Sequence, residues 1–110
     1  MTTDRKRLLH GTLDTLVLKT LSHGPRHGYA IARWLEERGD EALTIEEGSL
    51  YPALYRLEKQ GLLRSEWGVS ELERRAKFYQ LTKKGLARLE ADTVAWREFS
   101  VAVTTILDPS

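Results

Sequence analysis

A chain of 110 residues with 41% hydrophobic and 30% charged side chains is sized for one domain burying about 65% of its unfolded surface, and leaves no room for a second. Three prolines and eight glycines exclude a long disordered linker, and the lack of cysteine excludes disulfides and thiol catalysis and suits the cytoplasm. A net charge of +1 gives no general pull toward nucleic acid, so contact with it must come from local clusters of cations.

At the N-terminus Arg5, Lys6 and Arg7 form a short basic arm, fit either to lie along a phosphate backbone or to be a solvated terminus. The apolar stretch that follows is interrupted by Asp14 and Lys19 and has no small-residue cleavage site. Neither a signal peptide nor a membrane span is expected. A helix is predicted from Thr12, with Leu13, Leu16, Val17 and Leu21 on one face and Gly24-Pro25 ending it. Leu9 and Leu18 lie off that stripe, which predicts burial on two sides and hints at a partner subunit.

His23 and His27 have the i, i+4 spacing of helical metal ligands, but Gly24-Pro25 breaks the helix between them and no carboxylate or cysteine completes a set. No metal site is expected there; capping the second helix is a role that fits. That helix is predicted from Gly28 to Glu37, with Tyr29, Ile31, Ala32 and Leu35 toward the core and Gly39 closing it. Asp40 to Glu47 follows as a brief strand or extended link, with Leu43 and Ile45 in alternation with polar residues.

The next stretch, EGSLYPALYRLEKQGLLRSEW from Glu47 to Trp67, is read as a recognition helix and the opening of a hairpin. Ser49 is placed as its N-cap with Pro52 in the first turn, and Gly61 as its stop. Leu50, Leu54 and Leu57 share one stripe at i, i+4, i+7 and face the core. The opposite face holds Ser49, Tyr51, Pro52, Tyr55, Arg56 and Lys59, a mixture of hydroxyls, rings and cations. Two readings stay open at this helix: a surface for nucleic acid, or tyrosines partly buried against neighbours beside a solvated Arg56.

After Gly61, the alternation of Leu63, Ser65, Trp67 and Val69 with Arg64, Glu66 and Gly68 predicts a strand. Ser70 to Arg75 makes a polar turn, and Ala76 to Leu81 a second strand with Tyr79, Leu81 and Lys77 in one row. Arg74, Arg75 and Lys77 lie near the tip of this hairpin as candidate phosphate contacts, opposed by Glu71 and Glu73. Two helices, a link, a helix and a hairpin are the order of a winged helix-turn-helix.

From Thr82, a fitting N-cap, a last helix is predicted to run to Leu107, where Asp108-Pro109 stops it. Leu86, Leu89, Thr93, Trp96, Ser100, Val103 and Leu107 follow a three-and-four spacing, widened by Phe99 and Ile106. Such a helix, roughly 38 Å long, outruns the body of so small a domain. Its far half therefore calls for a partner, and a two-fold homodimer through Leu86, Leu89, Trp96, Phe99, Val103 and Ile106 supplies one.

The runs GTLDTLVLKTLSHGPRHGYAIARWLEE, EEGSLYPALYRLEKQGLLRSEW and AKFYQLTKKGLARLE resemble the PadR-like transcriptional regulators over nearly the whole chain. The resemblance rests on Gly24, Pro25, His27, Gly28 and Tyr29 at the turn, Gly48 to Pro52, Arg56 to Leu62, and Tyr79 to Gly85, in that order. It implies a homodimeric winged helix-turn-helix repressor on a roughly palindromic operator of double-stranded DNA, touching it through Ser49, Tyr51, Pro52, Tyr55 and Arg56 and the basic wing. The single C-terminal helix is similar to the family's short subgroup, whereas the wing lacks the glycine-rich basic tip of some members. In some short members aromatic residues of that helix line a pore at the dimer interface that admits flat, apolar ligands. By that likeness Trp96 is a candidate ligand contact for a small planar aromatic effector, set against a plain role in a packed dimer core.

The expected fold is thus mainly α with a small β-hairpin: a winged helix-turn-helix DNA-binding region over 1–81 and a C-terminal dimerisation helix over 82–110, in one domain. A sequence-specific DNA-binding regulator is the leading function. The competing one is a winged-helix protein-interaction module whose tyrosine face binds a protein, in keeping with the near-neutral charge. No cofactor is expected, and an enzyme is disfavoured because no nucleophile elbow or phosphate-binding loop occurs and the histidines lack convergent carboxylates.

Overall fold

The computed structural model of the chain describes residues 12–40 and 42–109. Along the chain they form α1 (Leu13–Leu21), β1 (Arg26–His27), α2 (Gly28–Arg38), α3 (Glu47–Lys59), β2 (Leu63–Val69), β3 (Arg75–Leu81) and α4 (Lys83–Leu107). The expected winged helix-turn-helix with a long last helix is what is observed. Leu9, His10 and the arm Arg5 to Arg7 lie outside the described residues.

The core gathers Leu13, Val17, Leu18 and Leu21 of α1, Ile31 and Leu35 of α2, and Leu50, Ala53, Leu54 and Leu57 of α3, all buried. Each leucine removed from water in this way contributes about 1.5–3 kcal/mol, which is why the three helices hold one arrangement. α1 lies in the middle, against α2, α3, β3 and α4. Its second apolar side is therefore covered within the chain: Leu18 is fully buried and needs no partner subunit, a correction to the expectation from its off-stripe position.

Tyr29 also departs from expectation. It precedes Ile31 by two residues, so at about 100° per residue it lies on the far side of α2 from the buried Ile31 and Leu35, and it is 59% exposed. His27 does cap this helix, its Nδ1 accepting the Ala30 N–H at 3.2 Å. The link before α3 is extended rather than a strand, pinned where Ile45 is buried and its N–H donates to Glu36 Oε2 at 2.9 Å.

The hairpin is joined by a third strand that the sequence reading lacked. Arg26 pairs with Tyr79 and His27 with Phe78, so β1 completes a sheet of order β1-β3-β2. β2 and β3 are antiparallel from Leu63↔Leu81 to Val69↔Arg75, one residue longer at the tip than expected. The turn closes through Ser70 N–H to the Arg74 carbonyl at 2.9 Å and Glu73 N–H to the Ser70 carbonyl at 2.8 Å, with Glu73 at φ 59°.

Thr82 caps α4 as expected, accepting the Gly85 N–H at 3.0 Å while its hydroxyl donates to the Gly61 carbonyl at 2.7 Å. Lys84 Nζ donates to the Gln60 carbonyl at 2.8 Å, so the end of α3 and the start of α4 are tied together. The helix then leaves the body of the molecule, whose long dimension is 55 Å against 31 and 20 Å in the other two. Leu89 is buried, but Trp96, Phe99 and Ile106 beyond it are exposed. Among the described residues no helix is long and apolar enough to cross a membrane.

Gly85 carries the closest approach in this junction: a side chain there would meet the Leu62 carbonyl oxygen well inside van der Waals contact, and backbone cannot swing away. Gly85→Ala should destabilise the fold by about 3 kcal/mol, the upper end for overpacking, measured as the shift in a urea unfolding curve. An unchanged midpoint would mean that α4 does not approach the Leu62 backbone this closely.

Candidate nucleic-acid interface

α3 begins three residues earlier than expected. The N–H groups of Ser49 and Leu50 both donate to the Glu46 carbonyl, at 3.0 and 2.9 Å, so Glu46 is the cap and Ser49 is already inside the helix. Glu47 suits this start because a carboxylate in the first turn faces the positive end of the helix dipole. Pro52 then falls in the second turn, inside the helix. The end is as expected, and sharply defined: Gly61 at φ 79° lets its own N–H reach the Glu58 carbonyl at 2.9 Å and the Leu62 N–H reach the Leu57 carbonyl at 3.0 Å.

With Leu50, Ala53, Leu54 and Leu57 held in the core, the helix can only turn its other side outward. Ser49, Pro52, Arg56 and Lys59 are exposed, and so are Tyr51 at 43% and Tyr55 at 66%. The alternative of tyrosines tucked against neighbours does not hold for Tyr55. Tyr51 does have a neighbour: its ring lies over Gly28 at the start of α2, where a Cβ would come within 2.6 Å of it. Tyr29, next to Gly28, adds an exposed ring that the sequence reading assigned to the core.

Two of the candidate cations are already engaged. Arg56 Nη2 lies 2.6 Å from Asp14 Oδ1 of α1, a pair whose side chains are half and about one-third exposed. Lys77 lies two pairs in from the tip of the wing, opposite Trp67, its Nζ 3.6 Å from Glu58 Oε1, while Ser65 Oγ donates to Glu58 Oε2 at 2.6 Å. Glu58 thus clamps the sheet to the flank of α3. Pairs this exposed are worth about 0–1 kcal/mol, so another anion can replace the carboxylate at little cost. Lys59 Nζ lies 5.6 Å from the Tyr55 ring, and Arg75 stacks on Trp67 with 4.6 Å to the ring centroid. Arg74 is exposed in the turn. Burial pushes the Tyr79 phenol above its ordinary pKa, with the nearby Lys77 charge pulling the other way.

The other expected sites separate. His23 and His27 take different jobs, His23 lying tilted against Trp34 with ring centroids 5.3 Å apart and His27 capping α2. Trp34 of α2 is half-buried between His23 and the guanidinium groups of Arg38 at 4.9 Å and Arg26 at 5.7 Å. Along α4, a cleft of about 1520 Å³ opens against α1, with Leu16, Leu43, Leu86, Leu89, Trp96 and Phe99 in its walls. Trp96 and Phe99 are ring neighbours at 6.4 Å. Thr15 Oγ1 donates to Asp92 Oδ2 at 3.1 Å and Arg88 Nε to Asp92 Oδ1 at 3.1 Å, fixing α4 to α1 beside that cleft. Of the six residues expected at a dimer interface, Leu89 is spent in the chain's own core, Val103 is half-buried, and Leu86, Trp96, Phe99 and Ile106 are exposed.

Residues 17–91 match the family described as the transcriptional regulator PadR-like family. A PadR family transcriptional regulator from Eggerthella lenta DSM 2243 is 35% identical, the match covering 99% of this chain and 93% of that one with a TM-score of 0.83. A transcriptional regulator from Clostridium thermocellum is 28% identical over 93% of this chain and 99% of its own, with a TM-score of 0.84. A PadR-like transcriptional regulator from Bacillus cereus is 31% identical over 94% and 99%, with a TM-score of 0.80. An uncharacterized protein of Lysinibacillus sphaericus is 26% identical over 94% of this chain and 95% of its own.

The seat of Tyr51 on Gly28 can be tested by a double-mutant cycle. Gly28→Ala should lower stability by about 1–3 kcal/mol through overpacking against the ring, and in a Tyr51→Ala background the same change should be neutral or stabilising. Equal effects in both backgrounds, in denaturant unfolding, would mean that the ring does not rest there.

Proposed function

This chain belongs to the PadR-like family of DNA-binding transcriptional regulators, and from that premise we propose that it is a repressor acting as a homodimer on a roughly palindromic operator. The observation that carries the reading is the outer face of α3. Hydroxyls, rings and cations all stand exposed on a helix whose opposite side is held in the core, so the face is rigid and points one way. Arg56 is proposed to bond a guanine or a phosphate and Ser49 a phosphate. Tyr51 and Tyr55 would put hydroxyls on phosphates and rings against sugars or thymine methyl groups, with Pro52 and Lys59 alongside. Arg74, Arg75 and Lys77 would fix the wing on the backbone.

In this reading residues 1–81 form the DNA-binding region and 82–110 the dimerisation helix of one domain. The exposed Trp96, Phe99 and Ile106 support pairing through α4, which buries them against a second copy. The cleft beside Trp96 supports a small planar aromatic effector whose binding releases DNA. A cytoplasmic location without cofactor or catalysis fits a regulator. The alternative, a protein-interaction module, is favoured by one observation: Asp14 and Glu58 already hold Arg56 and Lys77.

Salt separates the two readings. Binding to the DNA upstream of the chain's own coding region should weaken steeply from low to moderate salt, and a flat response would sink the DNA reading. Arg56→Ala should cost about 1–3 kcal/mol of binding with the dimer intact by light scattering. Asp14→Asn should tighten binding by up to about 1 kcal/mol, because Arg56 no longer has to leave a carboxylate. Loss of folding in Arg56→Ala would assign that residue to structure instead.

A further inference from the structure

We infer that Trp67 and Arg75 form one composite contact for the DNA backbone on the wing, the indole packing on deoxyribose while the guanidinium it carries takes the adjoining phosphate. The inference rests on the DNA-binding reading above and adds to it a residue outside the cations. Trp67 occupies the middle of β2, on the sheet face whose base is closed by the buried Leu63 and Tyr79, yet it is 58% exposed. Val69 beside it on the same face is exposed as well. The register explains why. Trp67 is opposite Lys77 and Val69 opposite Arg75, two steps beyond the last pair that α3 covers, Ser65 with Tyr79. This row runs off the flank of α3, where Glu58 clamps it.

Charge selects the partner. Lys77 is held by Glu58, but among the described residues no carboxylate pairs with Arg75, whose guanidinium carbon instead lies over the indole, 4.6 Å from its centroid. An apolar protein surface would have to desolvate that cation without compensation. A nucleic-acid backbone offers both complements side by side, anionic oxygens and the carbon faces of sugars. The stacking also orders the long arginine side chain before binding, so less freedom is lost when the phosphate is engaged. The contact is with the backbone, and so it acts on any sequence.

The test uses the full chain and a mixed-sequence duplex, with affinity followed by fluorescence anisotropy over a range of salt. Trp67→Ala should weaken binding by about tenfold with its salt slope little changed, because the lost contact is apolar. Arg75→Ala should weaken binding and reduce the slope by about one ion, and the double variant should lose less than the product of the two. Trp67→Tyr should recover most of the affinity, and thermal unfolding of each variant guards against misfolding. If the unsubstituted chain binds with steep salt dependence and Trp67→Ala matches it, the wing contact is wrong while the DNA reading stands. If the unsubstituted chain shows no salt-dependent binding, both are overturned.

Discussion

The packing of α3 against α1 is the constraint on which the remaining features depend. Leu50, Leu54 and Leu57 meet Val17, Leu18 and Leu21 in a core with no exposed member, and a helix with one side so fixed has no freedom in what the other side presents. The ends of α3 are set with equal firmness, at Glu46 by backbone bonds and at Gly61 by a left-handed turn. From that turn the chain leaves directly into β2, and Thr82 returns to bond the Gly61 carbonyl. The wing and α4 are therefore both referenced to the same helix end.

Charge in this molecule works locally. With a net charge of +1 there is no long-range field to draw in a polyanion, and the cations of the candidate face are partly answered by Asp14 and Glu58. Such exposed pairs cost little to exchange, so they order the side chains of the free protein while leaving them available. α1 stands at the crossing of two of these arrangements. Asp14 holds Arg56 of α3, and its neighbour Thr15 bonds Asp92 of α4, one turn from Trp96.

What the sequence made legible was whatever has a period or a sharp chemical stop. The leucines of α3, the alternation of β2, the Thr82 cap and the glycine at 61 each follow from local chemistry, and each is where it was expected. A strand of two residues has no period, which is why β1 was invisible until β3 paired with it. The start of α3 was misplaced because Ser49 is the better capping residue, yet the helix extends back to Glu47. Leu18 and Tyr29 were misassigned for opposite reasons: α1 is packed on several sides by its own chain, and α2 on fewer than its pattern implied. Arg56 with Asp14 spans 42 positions, and no local pattern announces such a pair.

The most direct measurement of the central claim is a backbone and side-chain NMR titration of the protein with duplex DNA. The expected result is perturbation concentrated on the outer face of α3, from Ser49 to Lys59, and on the wing from Trp67 to Lys77. Perturbation centred instead on the far half of α4 or around Trp34, with the α3 face unmoved, would contradict the account.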